Sequence, residues 1–273
     1  MSKTEELLKE KLATMLRCFH SFCEDNGLTY YVVDGTALGA VRHKGFIPWD
    51  DDIDVGMPRE DYDRFLALCN GWLSDIFAVE SPESESKDFQ YAYAKIYDTT
   101  TTLIESAQEP IVRGVYIDVF PLDGVGSCYN ESVRYMKRII RLQNLLFAKI
   151  CSVSRNRKVY KNAAIVLCRF LPVNAKKLVL KIDSACRKRA YADYDYVAII
   201  AGNLDVREIM QKDIYGKPTK YFFENTQVYG PEKIDAYLSA LYGDYMTLPP
   251  VEKQKSHHNF IKCDLNESYL NLF

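Results

Sequence analysis

Apolar residues return every three or four positions between Thr4 and Asn26, at Leu7, Leu8, Leu12, Met15, Leu16, Phe19 and Phe22. That period predicts a helix over 4–26 with one buried face. Glu5 and Glu6 suit its first turn, where the helix dipole favours anions, and Gly27 suits its stop. The period then changes. Leu28 to Val33 reads as a strand, and Ala37, Leu38, Ala40 and Val41 predict a short helix over 36–43. Lys44-Gly45 is a turn, Ile53 to Met57 a second strand, and Pro58 opens a helix running to Leu68. Phe77–Glu80, Tyr91–Tyr97, Thr101–Glu105 and Val115–Phe120 are further strands. The polar stretch Pro82–Asp88 is an exposed loop, and Pro121 is expected to close the sheet region. Helices follow at about 130–152, 159–170 and 174–192. Tyr196–Ala201 reads as a strand or a packed loop, Pro231–Tyr242 as a helix, and the remainder as an irregular tail. The pattern predicts an α/β (α+β) protein: a mixed-sheet core over 1–128, an all-helical insertion over 129–192, and a C-terminal part, 193–273, that completes the core.

One segment stands out, Asp34 to Met57, which reads DGTALGAVRHKGFIPWDDDIDVGM. It holds four carboxylates in five residues, Asp50, Asp51, Asp52 and Asp54, set among Ile47, Trp49, Ile53 and Val55. Like charges crowded between apolar neighbours call for a cation. In an extended chain Asp50, Asp52 and Asp54 share one face at about 6.5–7 Å spacing, with Asp51 on the other. An all-oxygen ligand set favours Mg²⁺ or Mn²⁺. A solvated acidic loop is the plain alternative, and the apolar flanks speak against it. An EF-hand is excluded, because Val55 and Asp61 stand where its loop needs Gly and Glu.

Upstream, Gly35-Thr36 follows a strand and opens a helix. Gly35 lets the backbone approach a ligand, and the exposed N–H groups and the Thr36 hydroxyl favour phosphate. A phosphate cradle followed by alternating aspartates is the arrangement of nucleotidyltransferase-type sites. Neither a Walker A motif nor a dinucleotide fingerprint is present. Asp118, amid Val115–Phe120, is the candidate further carboxylate, or else the partner of a buried Lys or Arg. Asp123 reads as a turn residue. Arg42 is a candidate phosphate clamp, and His43 a phosphate donor or a structural histidine.

The run from Gly35 to Met57 resembles the signature of the LicD family of phosphocholine transferases, which includes the fukutin-related ribitol-phosphate transferases. AYAKIYDTTTTLIE (Ala92–Glu105), YIDVFPLDG (Tyr116–Gly124) and LYGDYMTLPPVEKQKSHH (Leu241–His258) are similar to further blocks of that family. The resemblance implies a nucleotidyltransferase-like fold and Mg²⁺-dependent transfer of phosphocholine, or a similar phospho-alcohol, from a CDP-linked donor. The acceptor would be a hydroxyl of a cell-surface glycan or teichoic-acid precursor, lipid-linked or free. In this reading Asp50, Asp52, Asp54 and Asp118 hold metal, and Asp52, Asp54 and Asp118 serve catalysis, with Asp54 or Asp118 taking the hydroxyl proton. Gly35, Thr36, Arg42, His43, Trp49 and Lys95 contact substrate, with Asp98 a further candidate; Lys95 and Asp98 are otherwise a surface strand pair, and His257 and His258 either close over the site or belong to a solvated tail. A quaternary ammonium group wants an aromatic cage, for which Phe46, Trp49, Tyr91 and Tyr93 are candidates, although core packing is the commoner use of each and choline is implied by the resemblance alone. A true nucleotidyltransferase releasing pyrophosphate, and a non-catalytic membrane-peripheral binding protein, are the alternatives.

Composition sharpens this in two places. Of the 35 Lys and Arg, sixteen fall between Arg134 and Arg189 with a single acid, Asp183, which leaves 19 bases against 36 acids elsewhere. The helical insertion is therefore cationic and suits an anionic lipid surface or polymer, or else balances the acidic remainder. No recognised nucleic-acid-binding module accompanies the charge. The eight cysteines include no Cys-x-x-Cys pair, and the N-terminus carries no apolar leader. Both point to a cytoplasmic protein with reduced thiols, peripheral on the inner membrane face if membrane-bound at all.

Overall fold

Residues 3–153, 157–202, 205–256 and 260–272 are described by a computed structural model. The chain opens with helix α1 (Lys3–Asn26), whose buried face carries Leu8, Leu12, Met15, Leu16 and Phe19. Strand β1 (Tyr31–Val32) leads into α2 (Asp34–Arg42). Strand β2 (Asp54–Pro58) passes directly into α3 (Arg59–Cys69), which stops where Asn70 turns left-handed. Strands β3 (Trp72–Ser74), β4 (Phe77–Glu80), β5 (Ala94–Asp98), β6 (Thr102–Glu105), β7 (Ile111–Arg113) and β8 (Tyr116–Gly126) follow. Helices α4 (Tyr129–Ile150), α5 (Val159–Arg169) and α6 (Ala175–Cys186) come next. The chain then runs through β9 (Tyr196–Ile199), β10 (Met210–Gln211), α7 (Lys212–Tyr215), β11 (Thr219–Phe223), β12 (Thr226–Gly230), α8 (Ile234–Tyr242) and β13 (Phe260–Asp264). The architecture is the expected mixed α/β core with flanking helices.

The sheet is built on β8. β2 lies parallel to it, with Asp54 opposite Asp118 and Pro58 opposite Leu122. β5 runs antiparallel along its first half and β9 along its second. The strand path is β1-β2-β8-β5-β4-β3. All eleven residues of β8 are buried, so both faces of the sheet are covered. One core joins α1, α3, α8 and the strands. A second lies where Met136, Ile139 and Leu146 of α4 and Val179 and Ile182 of α6 cover Val125 and Ala198. No helix among the described residues is long and apolar enough to cross a membrane. The eight cysteines are unpaired.

Several expectations are corrected. β8 does not end at Pro121. That residue falls in the interval between the Ala94–Val119 and Leu122–Ile199 pairs, where the neighbouring strand changes and a missing N–H costs least. The third helix of the block ends at Cys186 and not at 192. The C-terminal tail is not wholly irregular, because β13 pairs with β6, and a β11–β12 hairpin lies ahead of α8. Asp123 is a buried strand residue and not a turn residue. Both its oxygens accept from Arg59, at 2.7 Å each. Arg59 also meets Asp183 of α6 at 3.0 Å, and Asp183 meets Arg187 at 2.6 Å. The single acid of the basic stretch thus ties the helical block to the sheet. Breaking one side of a buried pair leaves an uncompensated charge, so Arg59→Met is expected to lower unfolding free energy by about 3–5 kcal/mol. Urea denaturation followed by circular dichroism checks this.

Candidate active site

The site begins where β1 gives way to α2. Val33 is extended, and Asp34 turns to a φ of 47°, which reverses the chain into the helix. The Asp34 N–H donates to the Tyr237 hydroxyl at 3.0 Å. The Val33 N–H donates to the Asp54 carbonyl at 3.1 Å, and the Asp54 N–H donates to Thr36 Oγ1 at 2.8 Å. These two bonds lock the first turn of α2 against the first residue of β2. Gly35 is required by what lies over it: a Cβ there would come within 2.6 Å of Asp50 Oδ2. Gly45 is confined in the same way by the carboxylate of Glu224, which accepts from the Phe46 N–H at 3.0 Å and docks the β11–β12 hairpin on this loop.

Residues 50–53 are not a strand; the ladder starts at Asp54. The expected two-faced alternation of the aspartates therefore does not hold for the first three. β1 is only two residues long and pairs with Val55 and Gly56, so its ladder does not reach 50–52. Instead the Asp50 N–H closes a turn onto the Ile47 carbonyl, while the Lys9 ammonium holds the Ile47 and Pro48 carbonyls at 3.1 and 2.9 Å. One carboxylate oxygen from each of Asp50, Asp51 and Asp52 lies within 4.8 Å of the others. Asp51 also accepts a bond from the Ser256 hydroxyl at 2.7 Å.

Asp54 and Asp118 face the same way on adjacent parallel strands. Burial raises the Asp54 carboxyl well above its ordinary range, and Asp52, Asp34, Asp118 and Asp50 add to the shift. Burial also pushes Asp118 up to about 6, against the pull of Lys95, whose ammonium sits 2.8 Å away. Lys95 is itself buried and lies over the rings of Tyr116 and Tyr91, at 3.3 and 4.3 Å from their centres. Asp118 is thus at once the neighbour of Asp54 and the partner of a buried lysine.

A cleft of about 830 Å³ opens over these carboxylates. Asp34, Gly35, Arg42, Trp49, Asp50, Asp52 and Asp54 line one wall. The opposite wall comes from the chain just after α8, with Tyr242, Tyr245, Leu248, Lys253 and Lys255. Arg42 bridges the two by donating to the Tyr245 carbonyl at 2.7 Å, and its Nε donates to His43 Nε2 at 3.0 Å. Thr36, His43, Lys95 and Asp118 are not part of this lining. Asp98 lies elsewhere, paired with Lys11 at 3.2 Å. Of the four aromatic candidates, Trp49 alone lines this cleft. Phe46 packs on Phe223 and Tyr91 packs on Lys95. His257 and His258 lie outside the described residues.

Sequence reasoning missed Asp34 and Glu208. Glu208 is 3% exposed and hydrogen-bonded to Asp34. Burial, with Asp52 beside it, raises the Asp34 carboxyl to about 6 although the bond to Glu208 lowers it. The signal for Asp34 was its place at the end of a strand just ahead of Gly35. Nothing local marks Glu208.

The residues suit a hard divalent cation. The donors are carboxylate oxygens, three of them gathered from consecutive residues and two more raised in pKa by burial and by one another, so a bound cation would relieve a repulsion already present.

A glycine-opened helix start beside a carboxylate cluster on a mixed sheet frames the site. Residues 27–143 match the family model described as LicD/FKTN/FKRP, nucleotidyltransferase domain. The chain is 30% identical over 248 residues to lipopolysaccharide cholinephosphotransferase LicD of Haemophilus influenzae, covering 89% of this chain and 92% of that one. It is 47% identical over 38 residues to human ribitol 5-phosphate transferase FKRP, 14% of this chain and 8% of that one. A yeast protein, mannosyltransferase regulator 4 of Saccharomyces cerevisiae, matches at 25% over 140 residues, covering 49% of this chain and 11% of its own. The chain belongs to the LicD family.

The raised carboxyls set a pH dependence. Between about 4 and 6 the folded protein holds protons on Asp34 and Asp118 that the unfolded chain has released, so stability falls as pH rises through that window. Asp54 extends the loss to higher pH. Asp54→Asn is expected to flatten this slope in EDTA and to raise the melting temperature at neutral pH. Thermal melts of both proteins across pH 4–8 check it.

Proposed function

We propose that this protein transfers phosphocholine, or a closely similar phospho-alcohol, from a CDP-linked donor to a hydroxyl of a cell-surface glycan precursor, with Mg²⁺ or Mn²⁺ as cofactor. The observation that carries the reading is the composition of the cleft. Carboxylates crowd one wall beside a glycine-opened helix start, and Arg42, Lys253 and Lys255 stand around them. A nucleotide diphosphate brings the negative charge that the basic residues want and the acidic ones refuse, and a divalent cation reconciles the two. The names of the Haemophilus and human relatives, a cholinephosphotransferase and a ribitol 5-phosphate transferase, share the class of group transferred.

In this mechanism Asp50, Asp52 and Asp54 hold the cation, with Asp118 beside Asp54 as the fourth carboxylate. A cation bound there would neutralise charge on the donor's pyrophosphate. The amide groups at Gly35 and Thr36 and the Arg42 guanidinium orient the phosphates. The acceptor oxygen attacks the phosphorus that bears the alcohol, the bond to the bridging oxygen breaks, and CMP leaves with that oxygen and its electron pair. Asp54, buried and raised in pKa, takes the acceptor's proton. Lys95 acts indirectly, by holding Asp118 in place.

CDP-choline, CDP-ribitol, CDP-glycerol and nucleoside triphosphates, each tested with Mg²⁺ or with EDTA, separate the alternatives. A CDP-alcohol is expected to raise the melting temperature only with metal. Asp52→Asn is expected to abolish that rise without lowering the melting point of the ligand-free protein. Equal shifts in EDTA would remove the mechanism. Pyrophosphate as the product, in place of CMP, would make the protein a nucleotidyltransferase instead.

A further inference from the structure

Helix α5 carries its apolar stripe on the wrong side for a core. Val159, Tyr160, Ala163, Val166, Leu167 and Phe170 recur at helical spacing and fall within about 120° of arc. Such a stripe ordinarily faces inward. Here all six positions are exposed, and Val159, Leu167 and Phe170 are 84%, 69% and 82% accessible. The face turned to the protein holds Ile165, the single buried residue of the helix. Lys149 of α4 fixes the far end by donating to the carbonyls of Arg169 and Leu171 at 3.1 and 2.6 Å. The helix is therefore anchored along one side and bare along the other.

The surroundings are basic. Lys158, Lys161 and Arg169 lie round the helix from the stripe, towards the side of Ile165, with Lys158 and Lys161 exposed, and the exposed positions 134, 137, 138 and 141 of α4 are all Arg or Lys. Between Arg134 and Arg189 the single acid is Asp183, already committed to Arg59 and Arg187. An exposed apolar stripe within a cationic segment fits the boundary between anionic headgroups and acyl chains, where apolar residues enter and cations meet phosphate. At about 1.5 Å per residue an eleven-residue helix is too short to span a bilayer of about 30 Å, so it would lie in the plane of the surface. A second copy fits poorly, because a two-fold contact through this face would set two strongly cationic segments against each other. The remainder of the chain, with its excess of acids, would be repelled by the same surface, which fixes the orientation.

We propose that the α5 face docks this protein on an anionic lipid bilayer. The proposal does not depend on the transfer reaction, and its test needs no donor. Full-length protein is floated with vesicles of phosphatidylcholine alone, or containing about 30% phosphatidylglycerol. Binding is expected to the anionic vesicles at least about tenfold above the neutral ones, and to weaken in high salt. Leu167→Gln with Phe170→Gln, and separately Lys158→Glu with Lys161→Glu, should each reduce binding about tenfold or more. Lys158, Lys161, Leu167 and Phe170 are all exposed, and unchanged melting temperatures would exclude misfolding. No preference for anionic vesicles, or variants that float like the parent, would overturn the proposal. So would a self-association in sedimentation velocity that Leu167→Gln with Phe170→Gln abolishes while vesicles remain unbound.

Discussion

The mutual repulsion of the carboxylates at the start of β2 is the constraint around which this fold is arranged. Asp54 is held among Asp34, Asp50, Asp52 and Asp118 by groups that leave it no freedom to retreat. Its N–H is tied to Thr36, its carbonyl to Val33, and its strand to β8. A mobile acidic loop would spread its charges into water. This one is fastened by Lys9 at its entry and by the sheet at its exit, so the charge density is built into the fold.

The opposing wall comes from far along the chain. The segment from Tyr242 to Lys255 reaches back across the cleft, and Arg42 grips the carbonyl of Tyr245. Behind it, α8 places the Tyr237 hydroxyl against the backbone of Asp34. The sharp turn that exposes Gly35 therefore depends on a helix some two hundred residues later. The hairpin of β11 and β12 adds a third support through Glu224.

What could be read from the sequence divides along lines that physics explains. Helix α1, the strand into Asp34 and the Pro58 junction were legible because their signals are local: a helical period, a glycine opening a turn, a proline between elements. The crowding of the acids was legible because four carboxylates fall within five residues among apolar neighbours. Its shape was not, since whether 50–52 extend depends on a partner strand that β1 is too short to supply. Pro121 misled because its tolerance rests on a change of neighbouring strand. Asp123 misled because Arg59, its partner, is sixty-four residues away. Asp118 was read as either a metal ligand or the partner of a buried lysine, and Lys95 does sit against it. Strand β13 was invisible because its pairing with β6 is long-range and its residues are half-buried or exposed.

The Arg59–Asp123–Asp183 knot bears on how this chain tolerates rearrangement. A loop-bounded helical segment rich in lysine looks like a cassette that evolution or an engineer can swap out at its ends. Yet Asp183 reaches into the sheet's interior, and Met136, Ile139 and Val179 roof the strands beneath. A shortened relative would have to neutralise an arginine and repaint a greasy surface in the same step. Variation in this block should therefore concentrate on its outward side chains, leaving Asp183 as the hinge pin that any replacement must reproduce.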